Sequence, residues 1–244
     1  MDIEVFNRRE QKYMLDGDTY EKVINCIEKY MKPDAYSSDG GIYSICNIYY
    51  DTDDDYLIRR SLAKPVYKEK LRLRAYGTPD GSSKVFVEIK KKYHGIVNKR
   101  RTTMSLEEAE AYLDEGARPH CPNINHQVLA ETDYIKDYYG LKPKVYISYD
   151  RRAYFGKDDE SFRITFDTNI QTRRTDLRLE SGAYGTQLLE PGKWLMEAKI
   201  SGATPVWFTD MLSRLKLYPV SFSKYGTEYT NYILKIKKEK LHNV

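Results

Sequence analysis

Charged and apolar side chains alternate at a spacing of two residues in many segments of this chain, and this pattern restricts its fold more than any other feature. In Leu71–Arg74 both arginines lie on one side of an extended backbone and both leucines on the other. In Val85–Lys90 the apolar side chains likewise oppose Glu88 and Lys90. Such segments, rich in Val, Ile, Tyr, Phe and Thr, are typical of β-strands. We predict strands at Ile3–Leu15, Ile42–Tyr50, Val66–Tyr76, Lys84–Tyr93, Gly95–Met104, Pro143–Phe155, Phe162–Arg173 and Lys193–Ser201.

Helical patterns fall between these segments, and Ser105 with Glu108 has the spacing of a capping box. A mobile loop is expected at Thr175–Gly192. Eight strands are enough to close a barrel, and helices outside it would bury the apolar side of the strands. The predicted fold class is therefore α+β: an eight-stranded antiparallel β-barrel, or tunnel, with helices packed around the outside, as one domain over residues 1–244. The predicted helices are Asp18–Met31, Asp53–Leu62, Ser105–Glu115, Asn123–Tyr139, Pro205–Leu215 and Ser223–Lys240.

In such a barrel the charged side of the strands faces the interior. For any one strand a solvated outer face is the simpler interpretation, but several strands share the pattern. Like charges in a dry interior repel strongly, so water and a polyanion must enter. Arginine forks bind phosphate oxygens in pairs, and carboxylates could hold a hard divalent cation. The predicted interior cations are Arg8, Lys12, Arg72, Arg74, Lys90, Arg151 and Arg163, and the acids are Glu10, Glu88, Asp167 and Glu197.

Composition limits the class of protein less sharply. The net charge of +4 makes nucleic acid a conceivable partner without predicting one. Basic residues from Lys235 to Lys240 could serve that role, but a solvated helix face is the commoner reading, and no nucleic acid is expected. Three cysteines without metal spacing favour a reducing compartment. No signal peptide and no membrane-spanning apolar run is visible, so we predict a cytoplasmic protein without direct membrane insertion. Protein partners cannot be read from these features.

Several short motifs, in order along nearly the whole chain, carry a resemblance to a known family. They include Glu10–Tyr13, Asn47–Thr52 and Lys70–Gly77. The series continues with Val85–Lys90, Val97–Arg101, Tyr149–Arg151, Met196–Lys199 and Ser221–Lys224. Together they resemble the VTC domain, the polyphosphate polymerase domain of the CYTH-like, or triphosphate tunnel metalloenzyme, superfamily.

The resemblance implies a tunnel that binds ATP and a growing polyphosphate chain, with Mn²⁺ or Mg²⁺ as cofactor. Lys99 and Arg100 are adjacent and cannot both face inward, so the register of that strand stays open. Matched motif by motif, the implied catalytic phosphate ligands are Lys12, Arg72, Arg74, Lys90, Arg151 and Lys224. Further substrate contacts are implied or expected at Arg8, Lys99, Tyr149, Arg163, Lys199 and Ser223. The implied metal ligands are Glu197, as the principal one, with Glu88 and Glu10.

Three functions remain open on the sequence. Hydrolytic members of the superfamily carry an ExExK motif on the first strand, whereas this chain has Arg8 in place of the first acid. That difference favours a polyphosphate polymerase over a triphosphatase, because a polyphosphate end needs no base to become a nucleophile. A non-catalytic polyphosphate-binding module is the third reading. The acids Glu88 and Glu197 favour a metal-dependent phosphotransferase over such a module, although they could instead neutralise interior arginines.

Overall fold

The computed structural model describes residues 5–6, 9–35, 41–94, 96–121 and 124–242. Its strands are β1 (Val5–Phe6), β2 (Arg9–Leu15), β3 (Met31–Pro33), β4 (Tyr43–Asp51), β5 (Tyr67–Tyr76), β6 (Lys84–Tyr93), β7 (Ile96–Ser105), β8 (Lys142–Gly156), β9 (Arg163–Arg173), β10 (Thr186–Gln187) and β11 (Trp194–Ile200). Its helices are α1 (Gly17–Ile27), α2 (Tyr56–Leu62), α3 (Leu106–Glu110), α4 (His126–Tyr139), α5 (Val206–Arg214) and α6 (Lys224–His242), with a π-helical turn at Ala111–Glu115. All strand pairs are antiparallel.

The strands form one 11-stranded sheet in the order β1-β7-β6-β5-β4-β8-β9-β11-β2, with β3 beside β8 and β10 beside β9. The described residues of β1 and β2 do not pair with each other, so the ladder itself is not closed. However, β1 ends at Phe6 and β2 begins at Arg9, and three residues of chain span only about 11 Å. The two ends of the sheet must therefore lie close together. Glu10 on β2 also approaches Lys90 on β6 at 3.9 Å, so the sheet is rolled into a tunnel.

The apolar side of the strands faces outward and is covered by helices, as predicted. On β5 and β6, residues such as Leu71, Leu73 and Val87 pack against α3, the π-helical turn and α4. On β9 and β11, Phe166 and Met196 pack against α1 and α5. Removing a large side chain from such a core typically destabilises a protein by about 2–5 kcal/mol. These two clusters therefore fix which side of every strand faces the interior.

Two helices depart from the predicted arrangement around the outside. Ile58 on α2 and Tyr225 on α6 belong to a third apolar cluster, together with inner-facing residues such as Ile147 and Leu195. The buried carboxylate of Asp51 joins both helices to β4. It accepts hydrogen bonds from the Ile58 amide at 3.0 Å and the Tyr225 hydroxyl at 2.8 Å. Part of the inner face is therefore apolar and covered by α2 and the first turn of α6.

Most element bounds follow the sequence pattern. The capping box at Ser105 and Glu108 is confirmed, and the chain turns from β5 to β6 through Gly77, whose φ of 71° suits glycine. Asp16 caps α1, two residues before the predicted start of that helix, and the chain after the helix enters β3 instead of prolonging it. The expected loop Thr175–Gly192 contains the short strand β10. Among the described residues, no helix is long and apolar enough to cross a membrane.

Candidate active site

Strand register arranges the inner face of β5, β6 and β7 in rows. Lys70, Lys90 and Lys99 lie directly opposite one another on the three strands and are here called the lysine row. Like charges in directly opposed positions destabilise a sheet. The next row along the strands is Tyr49, Arg72, Glu88 and Arg101, and the row after it is Asn47, Arg74, Phe86 and Thr103.

Glu88 is the buried acid of this wall and is enclosed by cations. Arg72 donates to it through Nε at 2.6 Å, and the Lys99 ammonium lies 2.6 Å from its other oxygen. Arg74 lies 3.7 Å away and donates from Nε to the Asn47 amide oxygen at 2.9 Å. Burial opposes the charge of Glu88, but these three cations outweigh it and hold its pKa well below the usual range. Glu88 therefore acts as the counter-ion that holds the arginine forks in place.

The lysine row has fewer counter-charges. Burial, reinforced by Arg72 and Arg74, lowers the pKa of Lys99 to about 7 despite its contact with Glu88. Burial also lowers the pKa of Lys70 to about 8, and the neighbouring Lys90 adds to this effect. The Lys90 ammonium lies 3.9 Å from the Glu10 carboxylate, which is at the limit of an ion pair. A polyanion entering here would supply the missing negative charge.

On the wall formed by β8, β9 and the start of α6, the positive charges are neutralised in a different way. Arg151 donates to both oxygens of Asp167, at 2.6 and 2.8 Å, and Lys224 donates to the same carboxylate at 2.5 Å. Asp167 is completely buried, and burial opposes its charge. The two cations nevertheless hold its pKa below the usual value. The Lys224 ammonium also lies 4.3 Å from the centre of the Tyr149 ring, and the Tyr149 hydroxyl accepts from Arg74 at 3.2 Å. We call Arg151, Asp167 and Lys224 the paired cluster.

A third group of charges lies on β2 and β11. The Lys12 ammonium is 3.2 Å from Glu10 and 3.7 Å from Glu197, and it donates to the Phe222 carbonyl at 2.9 Å. Lys199 approaches the other oxygen of Glu197 at 3.1 Å. Burial opposes ionisation of Glu197, but the nearby cations, first Lys199 and Lys12, lower its pKa well below the ordinary value. Burial and Glu197 oppose the charge of Glu10, but Lys90 and Lys12 also lower its pKa below the ordinary value. Both carboxylates therefore stay ionised, and both lie within reach of the Lys12 ammonium.

Comparison with known proteins identifies the family. The family model of the VTC domain matches residues 7–233 of this chain. The chain belongs to the VTC domain family. It is 31% identical over 176 residues to vacuolar transporter chaperone complex subunit 4 of Schizosaccharomyces pombe, covering 63% of this chain and 23% of that protein. The subunit 4 of Trypanosoma brucei brucei is 26% identical over 213 residues, covering 72% and 27%. The chain thus spans about a quarter of the length of these curated relatives.

Solved structures confirm the tunnel fold of this VTC domain. A "putative adenylate cyclase" of Bacillus halodurans superposes with a TM-score of 0.54 at 17% identity, covering 90% of this chain and 94% of that one. A "putative adenylyl cyclase" of Hippeastrum, described as having a dominant triphosphatase activity, gives 0.52 at 13% identity, with coverage of 91% and 95%. At these identities the likeness shows the fold alone.

The tunnel of this VTC domain provides only some of the oxygen ligands that a divalent cation needs. Among the described residues, no three His, Cys, Asp or Glu side chains cluster in a way that could hold a metal ion. Glu10 and Glu197 do lie close together and remain ionised, which fits Mg²⁺ or Mn²⁺, since such ions often take one or two carboxylates and complete their shell with phosphate and water. Glu88 fits less well because Arg72, Arg74 and Lys99 surround it.

The structure brings most of the predicted residues together on the inner face. It settles the open register of β7: Lys99 faces inward towards Glu88, whereas Arg100 faces outward and pairs with Glu131 on α4. Arg163 lies beside Asp34, at 3.6 Å, and over the Phe155 ring. The Ser223 hydroxyl accepts from the Gly226 amide at 3.2 Å in the first turn of α6. Arg8 lies outside the described residues.

Lys70 and Tyr49 lie on the inner face but were not among the predicted site residues. Lys70 stands two positions before Arg72, so the alternation could have included it. Tyr49 lies opposite Arg72 and accepts a hydrogen bond from it at 3.1 Å. Although burial opposes ionisation, Arg72 and Lys70 lower the pKa of Tyr49 to about 8. Asp167 was recognised as an interior acid, but its role as the shared partner of Arg151 and Lys224 depends on contacts distant in sequence.

Proposed function

We propose that this VTC domain is a polyphosphate polymerase that transfers the terminal phosphoryl group of ATP to a growing polyphosphate chain, with Mn²⁺ or Mg²⁺ as cofactor. The observation that carries the proposal is the surplus of cations over carboxylates on the inner face. Most of its acids are already engaged by arginine or lysine, as Glu88 and Asp167 illustrate. Such a wall suits a long polyanion and leaves few carboxylates for activating water.

The proposed reaction needs positioning more than acid–base chemistry. The terminal oxygen of the polyphosphate chain is already anionic. It attacks the γ-phosphorus of ATP, the bond from that phosphorus to the β–γ bridging oxygen breaks, and ADP leaves. Arg72 and Arg74 present forked guanidinium groups that match phosphate oxygens, and Glu88 holds both in position. The lysine row and Lys12 would attract and align the chains as point charges.

Further residues complete the proposed site. Arg151 and Lys224, fixed by Asp167, would contact phosphates on the opposite wall beside Tyr149. Glu197 and Glu10 are the proposed metal ligands, and a bound divalent cation would neutralise charge that develops on the phosphate oxygens. Glu88 is assigned the counter-ion role instead. Three further statements remain predictions. They are that substrate contacts Arg163, Lys199, Ser223 and Arg8, that residues 1–244 form a single domain, and that the protein is cytoplasmic.

The test is to incubate the purified protein with ATP and Mn²⁺ and to resolve polyphosphate, ADP and free phosphate. Long polymer with matching ADP is the expected result. Arg72→Ala and Glu197→Gln should each reduce polymer formation by at least about 100-fold, because each removes a charge that acts on the reacting phosphates. Arg100→Ala is the matched control, since this neighbouring arginine faces α4 and should leave turnover unchanged.

Two results would contradict the polymerase. Free phosphate without polymer would identify a triphosphatase, the activity described for the Hippeastrum protein. Tight binding of polyphosphate without any turnover, in the presence of Mn²⁺ or Mg²⁺, would identify a binding module.

A further inference from the structure

Beyond the phosphate-contacting rows, the inner face continues into a group of aromatic and basic side chains. We define the mouth cluster as Tyr43, Tyr76, Lys84, Phe86 and Arg101. We propose that the mouth cluster is a binding subsite for the base of a nucleotide, which gives the tunnel an affinity for nucleoside triphosphates above that for inorganic polyphosphate. This inference rests on the proposed function in one respect: it takes the phosphates to lie against Arg72 and Arg74.

Register places the mouth cluster directly beside those arginines. Phe86 lies opposite Arg74, and Arg101 lies opposite Glu88 on the neighbouring strand. Tyr76 stands two residues after Arg74 and so shares its face, about 7 Å further along β5. A nucleotide with its phosphates against Arg72 and Arg74 can therefore extend its sugar and base along the same wall towards Tyr76.

The rings of the mouth cluster are grouped but are not sealed from solvent. The centroids of Tyr76 and Phe86 are 5.7 Å apart with the planes nearly perpendicular, and Tyr43 lies 6.0 Å from Tyr76. Tyr76 is 39% exposed, whereas Arg74, two residues earlier, is buried. Part of Tyr76 is therefore open to solvent beside the buried arginine, where a planar base could reach this group of rings and stack.

Cations complete this surface. The Arg101 guanidinium lies 4.8 Å from the centre of the Phe86 ring, and the Lys84 ammonium lies 5.7 Å from it. Within the described part of the chain, no carboxylate lies within ion-pair distance of Arg101, which is exposed. Guanidinium planes and aromatic rings together are a common platform for bases in nucleic-acid recognition. An inorganic phosphate chain could use the two charges but gains nothing from the rings.

The experiment compares two ligands that differ by the nucleoside. The dissociation constants of ATP and of inorganic tripolyphosphate are measured by calorimetry in metal-free buffer, so that no turnover occurs. Tyr76→Ala should weaken ATP binding by about tenfold, which is the loss expected for one stacking surface, and change tripolyphosphate binding by less than about twofold. Tyr76→Phe keeps the ring and should restore ATP affinity. Tyr138→Ala, an exposed tyrosine on α4, is the matched control and should change neither constant.

The two proposals fail in different ways. If Tyr76→Ala leaves both constants unchanged, or weakens both equally, the base subsite is wrong even if the protein makes polyphosphate. Phe86→Leu provides a second variant that keeps apolar bulk without the ring, and the same selective loss of ATP affinity is expected. If the selective loss is found while the unaltered protein makes no polymer, the base subsite stands and the polymerase fails.

Discussion

The paired cluster and the lysine row both carry positive charge on the inner face, but they differ in how far carboxylates neutralise that charge. In the paired cluster, Arg151 and Lys224 share the completely buried Asp167 through three hydrogen bonds. In the lysine row, Lys70, Lys90 and Lys99 lie opposite one another, and burial lowers the pKa of two of them. The paired cluster is complete without a ligand. In the lysine row, Lys99 contacts Glu88 and Lys90 approaches Glu10, but a surplus of positive charge remains that a bound polyanion would neutralise. One part therefore supports the fold and aligns its cations, while the other stores repulsion that ligand binding relieves.

The largest expected effect comes from breaking the paired cluster. Asp167→Asn leaves Arg151 and Lys224 buried without their counter-ion, and loss of one partner from a buried ion pair typically costs about 3–5 kcal/mol. Urea unfolding should show this decrease in the free energy of unfolding. Lys224→Met is the matched comparison: it leaves the bidentate Arg151–Asp167 contact intact and should cost much less. Equal losses in the two variants would show that the cluster does not depend on its shared carboxylate.

The difference between the two parts was only partly predictable. Alternation separated inner from outer residues in Leu71–Arg74, because leucine and arginine contrast strongly at a period of two. The same rule failed for Lys99, Arg100 and Arg101, since three successive cations show no contrast. Only the register with β6 and the position of Glu131 on α4 decide that strand.

Local sequence patterns could not predict the contacts between segments that are distant along the chain. Lys224 meets Asp167 across 57 positions, and nothing near either residue indicates the other. The apolar residues of α2 and of the first turns of α6 indicate that both segments pack against the sheet, but not against which side of it. Ile58 and Tyr225 pack with inner-facing residues because Asp51 binds both helices, which is a tertiary effect.

The second prediction concerns the lysine row, where removal of a cation should not lower the free energy of unfolding. Lys70→Met removes a cation that faces Lys90, so the free energy of unfolding should stay constant or rise by up to about 1 kcal/mol. Binding of tripolyphosphate should weaken by about tenfold, since a charge-assisted contact with phosphate is lost. Calorimetry and urea unfolding measure the two effects on the same sample. Lys142→Met, at an exposed lysine paired with Asp53, is the control. A clear loss of stability in Lys70→Met would mean that Lys70 supports the fold rather than strains it.

The smallest effect is a pH dependence that arises from the lysine row together with the neighbouring Tyr49, whose pKa is about 8. In the free protein the pKa of Lys99 is about 7 and that of Lys70 about 8, so both lose charge as the pH rises from 7 to 9. A bound polyanion favours the charged forms and raises both pKa values, so binding takes up protons. Affinity for polyphosphate should therefore fall with rising pH, by up to about tenfold per pH unit for each lysine that titrates. In the paired cluster, Asp167 keeps its negative charge throughout this range, because Arg151 and Lys224 hold its pKa below the usual value.

Lys99→Arg isolates this effect, because arginine stays charged over the same range and the titration of the ligand cancels in the comparison. The variant should bind polyphosphate with a flatter pH profile and take up fewer protons, as counted by calorimetry in two buffers of different ionisation enthalpy. The two profiles should converge near pH 6, where Lys99 is protonated in both the free and the bound protein. If the profiles are parallel from pH 7 to 9, Lys99 is already fully charged without ligand. The repulsion that distinguishes the lysine row from the paired cluster would then have to reside in Lys70 and Lys90 alone.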